Sequence, residues 1–267
     1  MQRPSMTSPV PVIHSRDNAF VKELRRLVQD STAYRKQGRV WLEGDHLCRA
    51  ALARGMRPSL AVFSESFWPQ AQVQYGQAAV KNVVIADALL ADISGLESPA
   101  PMGFLVDSPA SSGLQPGRPT VVLDRLQDAG NVGSILRSAS AFGFVQIAAL
   151  KGTAALWSAK VLRAGMGAHF ALHLVEGLTP QDIDSLNLPL LATSSHEGSF
   201  LHQATLPWPC GWIMGHEGQG VSPDLQARAV QHIRIAQPGG EESLNVGAAA
   251  AICLHASAAS AAAHIVR

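Results

Sequence analysis

The chain has 267 residues, 47% of them apolar, and a formal net charge of +1. That length can bury a sizeable core and predicts two domains, while the lack of any apolar run of membrane-spanning length and of a charged-then-apolar start at Met1-Gln2-Arg3-Pro4-Ser5 argues against a membrane span or a signal peptide. Its three cysteines, Cys48, Cys210 and Cys253, share no metal-ligand spacing, which points to a reduced, cytoplasmic compartment with neither a disulfide framework nor a metal site.

Residues 1–60 hold 11 Lys and Arg against 5 Asp and Glu, a net of +6, and residues 61–120 hold 2 against 5, a net of −3. A basic end on a near-neutral chain points to an anionic partner docking there; a solvated basic helix has the same composition. Residues 1–10, rich in Pro and Ser, read as a loose tail. Ser15-Arg16-Asp17-Asn18 offers helix caps. Phe20, Leu24, Leu27 and Val28 then recur at helical spacing, with Lys22, Arg25 and Arg26 facing away. Arg39 to Gly44 reads as a strand, and Asp45 to Arg54 as a helix stopped by Gly55 and Pro58. Leu60 to Phe63, Val83 to Ile85 and Gly103 to Val106 are short strands between helices. Together these make a small α/β domain over residues 11–106. The stretch 107–118 is dense in Pro, Gly and Ser, has no hydrophobic period, and reads as an interdomain linker.

Residues 119–267 alternate strands and helices, the pattern of a mostly parallel sheet covered on both faces. Thr120 to Leu123 is a buried strand. Ile135, Leu136, Ala139 and Phe142 mark one helix face, which Gly143 is placed to end. Strands follow at Val145 to Ala149, Leu190 to Thr193, Gly211 to Met214 and Ile233 to Ile235. Ser222-Pro223-Asp224 has the residue types of a helix start: a capping serine, a first-turn proline, and an acid at the positive dipole end. An Ala-rich helix closes the chain from about Leu244 to His264.

Three blocks in this half carry residue types that chemistry uses. The first, Asp128-Ala129-Gly130-Asn131-Val132-Gly133-Ser134-Ile135-Leu136-Arg137, directly follows a buried strand. Such strand-to-helix turns lie at the carboxyl edge of an α/β sheet, where ligands bind. Two glycines flank Asn131, and Arg137 leans back toward the turn. The spacing is not the dinucleotide fingerprint, which counts against a nicotinamide dehydrogenase. The second, Gly215-His216-Glu217-Gly218-Gln219-Gly220, has three glycines in six positions. Its permissive backbone could bind a purine edge or a carboxylate, with Glu217 as the charged group in the loop. A lone loop histidine such as His216 is more often structural than catalytic. The third, Glu241-Glu242-Ser243-Leu244-Asn245, opens the last helix. Ser243 and Asn245 could cap it and still point polar groups into a cleft. Ser243 lacks a nucleophile elbow, so hydrolase chemistry is not expected.

In this order and at this spacing, the three blocks resemble the three motifs of the SpoU/TrmH family of RNA ribose 2′-O-methyltransferases. Asn131 and Arg137 stand at the first motif's invariant positions and Glu217 at the acidic position of the second. Ser243, Leu244 and Asn245 match the third. The N-terminal half is similar to that family's substrate-binding domain through Ile13 to Asn18 with the basic helix after it, Leu42-Glu43-Gly44, and Ser98 to Gly103. Departures from the pattern are Ala129 for proline, His216 where a small or amide residue is common, and Gly247-Ala248 after the third motif.

The resemblance implies a trefoil knot, against the default rule of unknotted chains, and an N-terminal fold like a ribosomal protein of the L30e type. It also implies S-adenosylmethionine as cofactor, S-adenosylhomocysteine as product, and an obligate homodimer. Thr193, Ser194, Gly215, Gly220, Ile235 and Leu244 would hold the cofactor, with Asn131, Glu217, Ser243 and Asn245 framing the site. Arg137 would meet the RNA, serving the partner's cofactor. A guanidinium does not deprotonate in proteins, so Arg137 is expected to stabilise the developing alkoxide rather than act as a base. Lys22, Arg25, Arg26, Arg35, Lys36 and Arg39 are the expected phosphate contacts. The expected substrate is structured RNA, with ribosomal RNA favoured over transfer RNA. The rival reading is a non-catalytic RNA-binding protein that kept the fold.

Overall fold

The structure, a computed structural model, describes residues 10–109, 112–240 and 243–265. The tail read over residues 1–10 lies, except for Val10, outside the described residues, as do Glu241 and Glu242 of the third block. The described residues fall into two compact units, one ending at Pro109 with Trp157–Ala159 grouped with it, and one comprising the rest.

In the first unit the strand Val12–Ile13 (β1) leads into the helix Ala19–Gln29 (α1). Asn18 caps it, its side chain accepting from the Phe20 amide at 2.9 Å, which satisfies a donor that a helix start leaves orphaned. Val21, Leu24 and Leu27 are buried, whereas Phe20 and Val28 of the expected apolar face are half-buried; Lys22 and Arg26 are exposed and Arg25 is half-buried, so the buried stripe is centred nearer Val21 than the spacing alone predicts. There follow Ala33–Gln37 (α2), Arg39–Glu43 (β2), Asp45–Ala53 (α3), Leu60–Ser64 (β3), Trp68–Tyr75 (α4), Lys81–Ile85 (β4), Asp87–Ile93 (α5) and Met102–Asp107 (β5). The strand order is β1-β4-β3-β5-β2. β1, β4 and β3 run parallel, and β5 is antiparallel to both of its neighbours.

The second unit contains Thr120–Leu123 (β6), Ala129–Ala141 (α6), Gln146–Leu150 (β7), Ala159–Gly165 (α7), His173–Leu178 (β8), Leu190–Thr193 (β9), Ser199–Phe200 (β10), Gly211–Met214 (β11), Pro223–Gln226 (α8), Gln231–Arg234 (β12) and Val246–Ile265 (α9). Its sheet has the order β10-β12-β9-β11-β6-β7-β8, and every neighbouring pair is parallel. β6 and β11 are buried at every position. Strands covered on both faces read as continuous apolar runs rather than alternating ones, and these two do. Helix α9 packs on α6 and on β11, where the Trp212 indole donates to the Ser257 hydroxyl at 2.8 Å. The carboxyl ends of β12, β9, β11 and β6 therefore lie side by side along one edge.

Several expectations change. Part of the presumed linker is bonded into the second unit: the Gln115 amide donates to the Gln146 side chain at 2.8 Å, and the Gly117 amide to Leu186 at 2.8 Å. Ser222 precedes α8 without a side-chain capping bond, and its hydroxyl is buried with no partner. β12 begins two residues earlier than the apolar run Ile233 to Ile235, because pairing with β9, not hydrophobicity, sets its ends.

Candidate active site

The first block begins where β6 ends. Asp128, not a loop glycine, starts the helix: its carboxylate accepts from the Asn131 amide at 2.7 Å. Gly130, Asn131 and Gly133 consequently lie inside α6 rather than in the turn before it. Gly133 serves packing, since a Cβ there would come within 2.3 Å of the Ala164 Cβ on α7. Gly143, with φ of 80°, follows the end of α6 as expected.

The second block, residues 215–220, closes on itself. The His216 amide donates to the Gly220 carbonyl at 3.0 Å, and the Gly220 amide to the His216 carbonyl at 2.8 Å. Gly215 permits this closure, because a Cβ there would lie 2.2 Å from the Val221 nitrogen. The loop is tied to the end of β6 at three places. Glu217 accepts from the Asp128 amide at 3.1 Å, the Gln127 amide at 3.3 Å and the Asn131 side chain at 3.3 Å. Arg125 reaches Gln219 at 3.0 Å. The fully buried Asp124 accepts from the Ser222 amide at 2.6 Å and pairs with Arg125 at 2.9 Å. Partial burial pushes the Glu217 carboxyl up, but the hydrogen bonds it accepts outweigh this and hold it below the ordinary glutamate value. Glu217 is thus an ionised clamp with its oxygens occupied.

The third block joins the same network. The Asn131 carbonyl oxygen accepts from the Asn245 amide group at 2.9 Å. Asn245 in turn accepts from the amides of Gly247 and Ala248 at 2.9 and 3.2 Å, which makes it, not Ser243, the side chain that caps α9. Glu217, Asn131 and Asn245 form one chain of hydrogen bonds across all three blocks, and these partners define both amide orientations.

Beside this chain lies a cavity of about 660 Å³, well within the range of small-ligand sites. All six residues expected to hold a cofactor line it: Thr193, Ser194, Gly215, Gly220, Ile235 and Leu244. Glu217, Ser243 and Asn245 line it too. Val221, Ile233, Val246 and Ala249 add apolar wall. Among the described residues, the backbone amides and carbonyls of Gly215, Ile235 and Leu244 have no hydrogen-bond partner. The backbone of Gly220 is spent on His216. Ser194 accepts from the amides of His196 and Glu197, so its hydroxyl proton is left to donate. A slot with apolar walls and unspent backbone groups at three strand and helix ends fits a purine nucleoside.

Arg137 does not line this cavity. It stands six residues along α6 from Asn131, roughly 9 Å up the axis and about 120° around it. It is exposed, and among the described residues it makes no hydrogen bond or ion pair. Within the chain Glu217 is bonded to the start of α6 and not to Arg137.

Residues 118–255 match the SpoU rRNA Methylase family, and residues 18–102 the MRM3-like substrate binding domain. The chain belongs to the SpoU rRNA methylase family. It is 32% identical, over 94% of both chains, to an uncharacterized tRNA/rRNA methyltransferase of Synechocystis. To the 23S rRNA (guanosine(2553)-2′-O)-methyltransferase RlmP of Bacillus subtilis it is 26% identical, over 91% of this chain and 97% of the relative. The AdoMet-bound rRNA methyltransferase of Sinorhizobium meliloti superposes with a TM-score of 0.80 at 25% identity, covering 93% of this chain and 97% of that one.

The six cations expected to meet RNA all lie in the first unit of this SpoU chain and differ in availability. Lys22 pairs with Asp17 at 2.9 Å, Arg25 with Asp92 at 2.8 Å and Arg39 with Glu23 at 3.2 Å. Arg35 donates to the Tyr34 hydroxyl at 3.1 Å. Arg26 and Lys36 form no ion pair among the described residues, and both sit in the field of Asp30. Two residues escaped the sequence reading, Asp124 and Arg125. An acid set directly after a fully apolar strand and facing a glycine-rich loop was the available signal; Arg125 adds a positive φ of 59°.

Proposed function

We propose that this chain transfers a methyl group from S-adenosylmethionine to the 2′-hydroxyl of a ribose in ribosomal RNA. The observation that carries the reading is the convergence of all three blocks on one cavity through Glu217, Asn131 and Asn245. Ribosomal RNA is favoured because the Bacillus subtilis relative is named as a 23S rRNA methyltransferase and the Sinorhizobium meliloti neighbour as an rRNA methyltransferase.

When bound, S-adenosylmethionine supplies an electrophilic methyl group on a sulfonium. The chain's own task is to bind, align and exclude water. Backbone groups of Gly215, Ile235 and Leu244 would hold the nucleoside, with Val221, Ile233 and Val246 as its walls. Ser194 and Ser243 would supply hydroxyls to its polar groups, and the Thr193 hydroxyl, which donates to the Ile213 carbonyl at 3.0 Å, could only accept. Glu217 holds the first and second blocks together, and its occupied oxygens make it a poor acceptor for the ribose proton. Arg137 would anchor the ribose phosphate and stabilise the developing alkoxide. Its distance from its own cavity supports a homodimer in which it serves the partner's site. Within this reading the second unit carries the family's trefoil knot, residues 11–106 form an L30e-like RNA-binding domain, and residues 107–118 link the two. The buried, unpaired Cys48, Cys210 and Cys253 suit the reducing cytoplasm.

Mapping 2′-O-methyl sites in total RNA from cells with and without the protein tests the function. One ribosomal ribose should lose its methyl group when the protein is absent. Arg137→Ala should abolish that modification while S-adenosylhomocysteine affinity, read by calorimetry, stays nearly intact. A fully active Arg137→Ala protein would refute the assignment of this residue.

A further inference from the structure

We propose that His216 is a positioning residue of the cofactor cavity and that it works only as the neutral imidazole. The proposal rests on the cavity being the S-adenosylmethionine site. His216 opens the loop that closes back on Gly220, and it is half-buried in the cavity wall. Inside the loop its Nδ1 accepts two backbone hydrogen bonds, from Gly218 at 3.0 Å and from Gln219 at 3.2 Å.

A backbone N–H can only donate, so Nδ1 must present a lone pair and the ring proton must sit on Nε2. No partner is assigned to Nε2 among the described residues. Adding a proton puts an N–H on Nδ1, facing two other N–H groups. Turning the ring over gives no relief, because an imidazolium has no acceptor. The acid form must therefore swing out of the loop, leaving the Gly218 and Gln219 amides without their acceptor.

The loop that would open carries the Gly215 and Gly220 walls of the cavity, and Glu217, which grips the start of α6. The charged groups around it are Glu217 on the loop itself, Asp124 and Arg125 at the end of β6, Asp128 at the start of α6, and His196 on the far wall of the cavity. His196 is the other imidazole among them, so variants must separate the two.

Calorimetry with S-adenosylhomocysteine on the full-length protein, at about pH 8 and about pH 5.5 where imidazoles change charge, makes that separation. The wild type should lose about tenfold in affinity on acidification, the scale of losing one to two hydrogen bonds. His216→Asn sets an amide oxygen near the position of Nδ1. It should bind within about twofold of the wild type at pH 8 and show no acid loss, whereas His216→Gln, whose amide lies too far out, should be weakened about tenfold at both pH values. In the cofactor-free protein, amide exchange at Gly218 and Gln219, corrected for its intrinsic pH dependence, should accelerate in acid for the wild type and not for His216→Asn. An acid loss that persists in His216→Asn would assign the effect to His196 and overturn the proposal. So would a pH-independent wild type, or a His216→Gln protein equal to it. Failure of the wild type to bind S-adenosylhomocysteine at pH 8 would instead overturn the assignment of the cavity itself.

Discussion

Gly215 shows how one missing side chain shapes the site. A Cβ there would press on the Val221 nitrogen at 2.2 Å and the Gly220 carbonyl carbon at 2.3 Å, both backbone atoms of a loop already closed on itself. Nothing nearby can rotate away, so Gly215→Ala must move the loop. It should lower stability by about 1–3 kcal/mol in urea unfolding, as overpacking does, and weaken S-adenosylhomocysteine binding with it. Gly218, four residues from the end of the same motif's strand, meets only the His216 ring, at 3.8 Å. Gly218→Ala should stay within about 0.5 kcal/mol of the wild type. Equal effects at the two positions would refute the steric account. The glycine count pointed to this loop, but it did not distinguish the glycine that permits closure from the one with room to spare.

Among the elements, α9, like α6, begins within the site. Asn245 caps it through Gly247 and Ala248, and with its other amide atom braces Asn131. Two substitutions separate these roles. Asn245→Ala should cost about 1 kcal/mol in unfolding free energy, the usual value of a lost cap, and should also impair methylation. Asn245→Asp keeps an acceptor for the cap and suits the positive end of the helix dipole, so its stability should stay within about 0.5 kcal/mol of the wild type. Its carboxylate cannot donate to the Asn131 oxygen, so methylation should still fall. An Asn245→Asp protein of normal activity would show that the brace is dispensable. The choice between Ser243 and Asn245 as the cap was open in the sequence, because both are good capping residues and the helix boundary decides which is in position.

For the whole molecule, the position of Arg137 bears on how the site is assembled. It sits on the exposed side of α6, away from the cavity of its own chain. If it serves a second copy, subunits with complementary defects should rescue each other. Arg137→Ala chains, inactive alone, and Gly215→Ala chains, impaired in cofactor binding, should reach about a quarter to a half of wild-type activity when refolded together, more than either preparation alone, since a mixed dimer contains one intact site. No recovery, with mixed dimers demonstrated by mass spectrometry, would place Arg137 in its own chain's chemistry.

The residues by themselves determined much of this protein. Thr120 to Leu123, Leu190 to Thr193 and Gly211 to Met214 were legible as strands to the residue, because strands covered on both faces read as short, mostly apolar runs. The end of α6 was equally plain, since a glycine after the last periodic residue is a local signal, and the spacing found Leu24 and Leu27 of the α1 core but not Val21. The six proposed cofactor residues, named from strand ends and the family resemblance, line one cavity. What required tertiary structure was each choice between chemically equivalent local options. Gly133 packs against α7 instead of loosening a turn. Gln115 and Gly117, at the end of the interdomain stretch, are bonded into the second unit. Glu217 clamps the start of α6 instead of reaching Arg137, and Asp124 and Arg125 enter the site unannounced. Each of these depends on contacts between residues tens of positions apart, and a hydrogen-bond donor or acceptor carries no mark in the sequence of which distant partner will reach it.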